Sequence, residues 1–321
     1  MQSSIPKLTI GLPTFKRPHE LSCAIQQILD QTFLDFELII VDDASNDDTS
    51  KVVNGFKDKR IYFLKNEENL GVASSLNKII SLARGKYFIY LSDHDYYDKN
   101  LLLKCVFALD SNQASNLVMP GLFRFNQRKD KIRFDQLDWP SINNGNKKLK
   151  EYLMQKNSFS SPFHASCMYK VSKLKEIGFF YDINYSYFSD IDLNIRALVD
   201  SEFIYLEEML IGVTVRESSH ELNFKEVESL KILHAINFKF LNSLKIQNIN
   251  STKFLDTKIN MHLNLCLCNS TFRGLNNFKK TEKKININFP DSNNKFNRGP
   301  AVLKFCLYFI QFLVRKFIKN V

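Results

Sequence analysis

The sequence predicts an α/β protein, a doubly wound mixed sheet flanked by helices with a helical C-terminal extension. Two observations carry this. Across the first hundred residues short β-branched or aromatic runs alternate with amphipathic stretches, the rhythm of βαβ units feeding a parallel sheet. After residue 220 the composition turns basic and asparagine-rich, with 14 asparagines in residues 237–297.

Taken in order, strands are expected at residues 8–12, 37–42, 61–64 and 87–91, and helices at 18–31, 48–56, 72–83 and 99–110. Pro18 suits a first helical turn, where its missing N–H costs nothing, and Asp47-Asp48 can cap the helix that follows. Residues 118–134 and 163–169 are strand-like, with long polar connections such as Asn143-Asn144-Gly145-Asn146. They read as the mixed second half of the same domain. A helix is expected at 190–199, a strand at 211–215, and helices again at 221–241 and 252–268. A soft boundary falls near 220, giving a domain over 1–220, a helical Asn/Lys-rich extension over 221–299 and a terminal helix over 300–321.

Composition excludes several classes. With 44% hydrophobic and 13% aromatic residues, the chain can bury a sizeable core and is not dominantly disordered. Ten glycines in 321 residues exclude glycine-rich or collagen-like architectures. The formal charge of +10 hides an asymmetry: residues 221–321 hold 17 Lys+Arg and 6 Asp+Glu, while residues 1–220 are nearly balanced. A basic final third admits a nucleic-acid-binding reading, yet no recognisable reading motif accompanies it. Six cysteines without CxxC spacing point to a reduced, cytoplasmic setting and away from zinc. Residues 1–7 run straight into a strand-like segment, not into the apolar run of about 7–15 residues that an export signal needs.

Three acidic constellations could carry chemistry. Ile39-Ile40-Val41-Asp42-Asp43-Ala44-Ser45 is a buried-strand run ending in two carboxylates, which can accept hydrogen bonds from a nucleotide or merely cap the next helix. Tyr90-Leu91-Ser92-Asp93-His94-Asp95 again ends a strand in carboxylates, spaced to hold one hard divalent cation beside a diphosphate, or to cap a helix. In Phe188-Ser189-Asp190-Ile191-Asp192-Leu193 with Arg196, Asp190 starts a helix whose dipole favours its ionised, proton-accepting form. The plainer alternative is an N-cap, with Arg196 pairing to Asp192 one turn on. In a parallel sheet, ligands bind at the carboxyl ends of the strands, where the first two constellations lie.

These segments, with Ile10-Gly11-Leu12-Pro13-Thr14-Phe15, Arg17-Pro18, Gln31-Thr32-Phe33, Asn69-Leu70-Gly71-Val72-Ala73, Asn77 and Gly85-Lys86-Tyr87, resemble the family 2 inverting glycosyltransferases of bacterial surface-polysaccharide type. Four motifs stand in family order and spacing over about 100 residues, and the match continues more weakly to His220 through Gly178-Phe179-Phe180. The resemblance implies a Rossmann-like GT-A fold, with a nucleotide-sugar-binding half over 1–110 and an acceptor half over 111–220. It implies that Thr14, Asp43 and Asp42 line a uridine pocket together with Pro13, Arg17, Asn69, Gly71 and Asn77. Asp95 falls on the metal-binding carboxylate, for Mn²⁺ or Mg²⁺, and Asp93 on or beside the ribose-contacting position and next to the metal. His220 resembles a late histidine that closes on metal or diphosphate. Asp190 takes the place of the catalytic base, while His164 and Asp192 fall on the acceptor side, His164 being equally a core histidine. This chain departs from the family at Ser92, within a motif often reading Leu-Asp-x-Asp-Asp, and at Ser189, where glutamate is usual. The implied partners are a UDP-sugar donor and a glycan or lipid-linked acceptor.

In residues 301–319, Lys304, Tyr308, Gln311, Arg315 and Lys319 recur on one helical stripe while Phe305, Leu307, Phe309, Ile310, Phe312, Leu313, Phe317 and Ile318 cover the rest. The apolar run is shorter than the roughly 20 residues a spanning helix needs. A basic amphipathic helix of this kind suits the surface of an anionic membrane, the plainer alternative being packing on its own domain or a second copy. Peripheral attachment to the inner face of the cell membrane is the corresponding expectation. A nucleotidyltransferase is a poor fit, since Gly11-Leu12-Pro13-Thr14 is not a glycine-rich triphosphate loop. A catalytically silent homologue stays open at this point.

Overall fold

The computed structural model describes residues 5–126, 131–134, 137–154, 166–178, 189–215 and 236. All of these except Ile236 belong to one compact unit. The expected segments 221–299, apart from Ile236, and 300–321, and the residues His164 and His220, lie outside the described residues.

The first half runs β1 (Leu8–Thr14), α1 (Pro18–Leu29), β2 (Phe36–Asp42), α2 (Thr49–Gly55), β3 (Ile61–Lys65), α3 (Val72–Leu82), β4 (Tyr87–Tyr90), β5 (Tyr96–Tyr97) and α4 (Leu101–Ser111). The second half adds β6 (Ser115–Asn126), β7 (Lys131–Phe134), β8 (Ile142–Asn144), α5 (Gly145–Met154), β9 (Met168–Lys170), α6 (Val171–Glu176), α7 (Ser189–Leu198) and β10 (Glu202–Val215). One sheet of ten strands has the order β3-β2-β1-β4-β9-β6-β10-β5, with β7 on β6 and β8 on β10. Strands β1 to β4 are parallel. β9 lies antiparallel between β4 and β6, which makes the sheet mixed.

Every residue of β1 and β2 is buried, because parallel strands are covered on both faces. That is why they read as unbroken apolar runs. Leu8, Ile10, Leu12, Leu38 and Ile40 pack with Leu21, Ile25 and Ile28 of α1 and Leu102, Cys105 and Leu109 of α4. Pro18 occupies the first turn of α1, as expected, and Asp47 accepts from both the N–H and the hydroxyl of Thr49 at the start of α2. Asp48 pairs instead with Lys51, so only the first of the two aspartates caps.

The second half differs from expectation in three places. Asn143-Asn144-Gly145-Asn146 is not a loop but the end of β8 and the start of α5. The Asn144 side chain accepts the Lys147 N–H at 2.9 Å, an N-cap bond, and the Gly145 N–H donates to the Ser201 carbonyl at 2.8 Å. Only glycine fits there, since a Cβ at 145 would stand 2.0 Å from the Leu198 carbonyl oxygen. Asn144→Ala is expected to cost about 1 kcal/mol in urea unfolding. Second, β10 begins at Glu202, not at 211, because register shifts between Leu206 and Ile211 leave Glu207 and Glu208 exposed and break the alternation in mid-strand. Third, the short α6, like β5 in the first half, carries no periodic signal of its own.

Candidate active site

Neighbouring strands β2, β1 and β4 end on one edge of the sheet, and each delivers a polar side chain there. At the end of β1, the buried Thr14 donates its hydroxyl to Asp93 Oδ2 at 2.8 Å. The chain then turns sharply through Lys16 (φ 54°), and Arg17, preceding α1, donates to Asp93 Oδ1 at 3.0 Å. Asp93 is only 3% exposed. Its burial alone would raise the carboxyl pKa, but the His94 hydrogen bond, the Arg17 charge and the Thr14 hydroxyl outweigh it and hold the group below its usual value.

The acidic pair ending β2 divides its labour. Asp43 accepts from the Asn66 amide and from the N–H groups of Leu70 and Gly71, so it fixes the loop before α3. Gly71, at φ 84°, supplies the left-handed backbone that this turn requires. Asn69 is exposed on that loop, Asn77 half-buried on α3, and Pro13 sits within β1 opposite Val41. Asp42 is fully buried; its Oδ1 accepts the Ser45 N–H, while among the described residues Oδ2 has no hydrogen-bond donor, the Lys65 ammonium standing 3.7 Å away. A buried carboxylate oxygen without a donor is a place for a ligand's N–H or O–H.

The turn after β4 is held from several directions. Tyr97 donates its hydroxyl to the Ser92 carbonyl and accepts the Ser92 N–H. From α1, Gln27 donates to the Asp95 carbonyl and accepts the Tyr97 N–H. From β10, Thr214 gives its N–H to Asp95 Oδ1 at 3.0 Å and its hydroxyl to the His94 carbonyl at 2.6 Å. His94 Nδ1 lies 2.6 Å from Ser92 Oγ and 2.9 Å from Asp93 Oδ1.

Asp190 stands in the first turn of α7, half-buried, its Oδ1 accepting the Ile191 N–H at 2.9 Å. Burial pushes its pKa up to about 6, and the backbone N–H groups of the helix start offset this only in part. The helix start thus opposes the desolvation, in the sense the sequence reading expected, without cancelling it. The group is a better proton acceptor for it, while still mostly ionised at pH 7. Tyr90, at the end of β4, senses its charge: the phenol is held well above the usual tyrosine range first by burial and then by the charges of Asp95, Asp93 and Asp190. The charge of Asp190 thus acts on the same phenol as those of Asp93 and Asp95, although Asp190 lies far from them in sequence.

Asp192 is fully buried and accepts from Arg196 Nε at 2.7 Å, while Arg196 also donates to the Ile177 carbonyl. The i,i+4 pair read from the sequence is present, and it ties α7 to the end of α6. The structure brings Thr14, Arg17, Asp93, Asp95 and Asp190 together, with Asp42 and Asp43 at the end of the strand beside β1. The sequence reading missed Tyr90, Tyr97, Gln27 and Thr214. Of these only Gln27 left a signal, since with Gln31 it places two amides at helical spacing, and both reach the segment after β4.

Among the described residues no three His, Cys, Asp or Glu side chains form a ready metal cluster, and no helix is long and apolar enough to cross a membrane. With Asp93 already paired to Arg17, the donor set fits a cation that takes one carboxylate from Asp95 and its remaining oxygens from phosphates and water.

Comparison with known proteins follows the same lines. The profile described as Glycosyl transferase family 2 matches residues 9–178. The chain is 29% identical over 223 residues to an uncharacterized glycosyltransferase of Methanocaldococcus jannaschii, covering 68% of this chain and 74% of that one. It is 34% identical over 108 residues to the Escherichia coli enzyme WfgD, a UDP-Glc:alpha-D-GlcNAc-diphosphoundecaprenol beta-1,3-glucosyltransferase, covering 34% of this chain and 43% of that one. In fold it is similar to S. aureus TarS 1-349 solved with UDP-GlcNAc, with a TM-score of 0.58 at 16% identity over 86% of this chain and 90% of that one. The match to more than half of its length, on a GT-A sheet whose strand ends gather the acidic motifs, shows that the chain belongs to glycosyl transferase family 2.

Proposed function

We propose that the protein transfers one sugar from a nucleotide diphosphate sugar, a UDP-sugar, to a hydroxyl of a glycan or lipid-linked acceptor in surface-polysaccharide assembly, inverting the anomeric configuration. The observation that carries this reading is Asp190 at the start of α7, a desolvated carboxylate whose charge acts on Tyr90 together with those of Asp93 and Asp95 at the end of β4. The donors named for the E. coli relative and the TarS complex are UDP-sugars, which supports the choice of nucleotide.

In this mechanism the acceptor hydroxyl gives its proton to Asp190 as its oxygen bonds to the anomeric carbon. The bond from that carbon to the diphosphate oxygen breaks on the opposite face, and the electron pair leaves with the nucleoside diphosphate. Direct displacement needs no covalent enzyme intermediate. Asp42 Oδ2 accepts from the base, Asp43 and Gly71 hold the loop that borders it, and Thr14, Arg17 and Asp93 form a charged lattice beside the diphosphate. Asp95 would hold a divalent cation, Mn²⁺ or Mg²⁺, which supplies Lewis-acid stabilisation of the leaving phosphate when bound. The basic segment 300–321 and His220 belong to the same proposal, the first as a contact to the inner face of the membrane, the second near the diphosphate.

A panel of nucleotide sugars, incubated with lipid-linked acceptor with and without Mn²⁺ and scored for released UDP or GDP, tests the class and names the donor. The expected result is acceptor- and Mn²⁺-dependent release of UDP from one donor. Release from none of them would overturn the proposal.

A further inference from the structure

We infer that Thr214 is a positioning residue for Asp95, acting through the backbone of the turn after β4. The inference rests on the proposed role of Asp95 in holding the donor's cation. Strand β10 pairs antiparallel with β5 in the register Ile211 to Tyr97 and Gly212 to Tyr96. Continued by two residues, that ladder sets Val213 opposite Asp95 and Thr214 opposite His94.

At this point the ladder changes partners. The Thr214 N–H goes to the Asp95 carboxylate, at 3.0 Å, and the Thr214 hydroxyl takes over the His94 carbonyl, at 2.6 Å. One residue therefore fixes both the backbone of the turn and the orientation of its carboxylate. With Oδ1 held by a strand N–H, the rotation of the Asp95 carboxylate is restricted. The hydroxyl is what makes the exchange affordable, because without it the half-buried His94 carbonyl would lose its partner. Gln27 braces the same turn from α1 through the Asp95 carbonyl, so the carboxylate sits between a helix of the donor half and a strand of the acceptor half.

The consequence is specific. Valine at 214 keeps the β-branched shape, the strand and the N–H, and loses only the hydroxyl. The turn then relaxes, and Asp95 is no longer preset for the cation. In the full chain, calorimetric titration of UDP with and without Mn²⁺ reads this directly. Thr214→Val is expected to lose about tenfold of the Mn²⁺-dependent gain in UDP affinity, a difference of about 1.4 kcal/mol, with metal-free UDP affinity unchanged. Thr214→Ser, which restores the hydroxyl, is expected to stay within about twofold of wild type. Thr214→Ala removes the hydroxyl without adding a methyl and carries the same expectation should the valine variant not fold.

Wild-type Mn²⁺ response in Thr214→Val and Thr214→Ala overturns the inference while leaving the role of Asp95 intact. A wild-type protein whose UDP affinity ignores Mn²⁺ overturns the role of Asp95 itself, and the inference with it. Equal loss of metal-free and Mn²⁺-linked affinity marks a general structural defect and also overturns it.

Discussion

Asp190→Asn is expected to lower kcat by about 10²–10⁴-fold, the usual range for removing a positioned general base, with UDP affinity unchanged. The asparagine keeps the size of the side chain and an oxygen for the Ile191 N–H, so the start of α7 is preserved. What is lost is the capacity to take a proton. The pH dependence of the wild-type enzyme provides a second reading of the same group. With a pKa of about 6, Asp190 must be unprotonated to act, so kcat/KM is expected to fall tenfold per unit below about pH 6 and to level off above it. Stability moves in the opposite direction. Because the folded pKa lies above the ordinary 3.8, the native state holds a proton that the unfolded chain releases, and stability drops as pH rises from about 4 to about 6. At 1.36 kcal/mol per unit the cost is on the order of 3 kcal/mol at neutral pH. Asp190→Asn removes that cost, so at pH 7 the variant is expected to melt no lower than wild type. A variant both inactive and clearly less stable would indicate a structural role.

Asp95→Ala is expected to abolish the Mn²⁺-dependent part of UDP binding and to lower kcat on the order of 10³-fold, the size of effect seen when one electrostatic partner of a leaving group is removed. This substitution also strips the half-buried Thr214 N–H of its acceptor, which costs on the order of 1 kcal/mol. Asp95→Asn separates the two contributions. The amide oxygen still serves Thr214, so the fold is kept, but the charge that attracts a cation is gone. Calorimetry of UDP binding with Mn²⁺ is expected to show the same loss for both variants, with the alanine variant alone melting earlier. An asparagine variant with full Mn²⁺ response would remove Asp95 from the metal site.

The first four strands and helices lie within two residues of where the sequence places them, and the reason is geometric. A parallel strand buried on both faces must be apolar along its whole length, and its carboxyl end must open into a polar turn. The acids at the ends of β2 and β4 were visible for the same reason. The β8–α5 junction was hidden because Asn144 and Gly145 act through contacts with distant backbone, the latter with Ser201 and Leu198. Nor could the sequence tell Asp42 from Asp43. Both end β2, and only the path of the loop from Asn66 to Gly71 decides that the second is spent on protein donors while the first keeps a bare oxygen.

By itself the chain of residues determined the family, the order of the parallel strands' motifs and the identity of the acidic side chains, because these follow from local periodicity and from short motifs. Tertiary structure alone decided the pKa of Asp190, the company it keeps at Tyr90 and the grip of Thr214 on a turn 119 and 120 residues away. Desolvation and hydrogen-bond geometry depend on what folds over a group, and no neighbour in sequence records that.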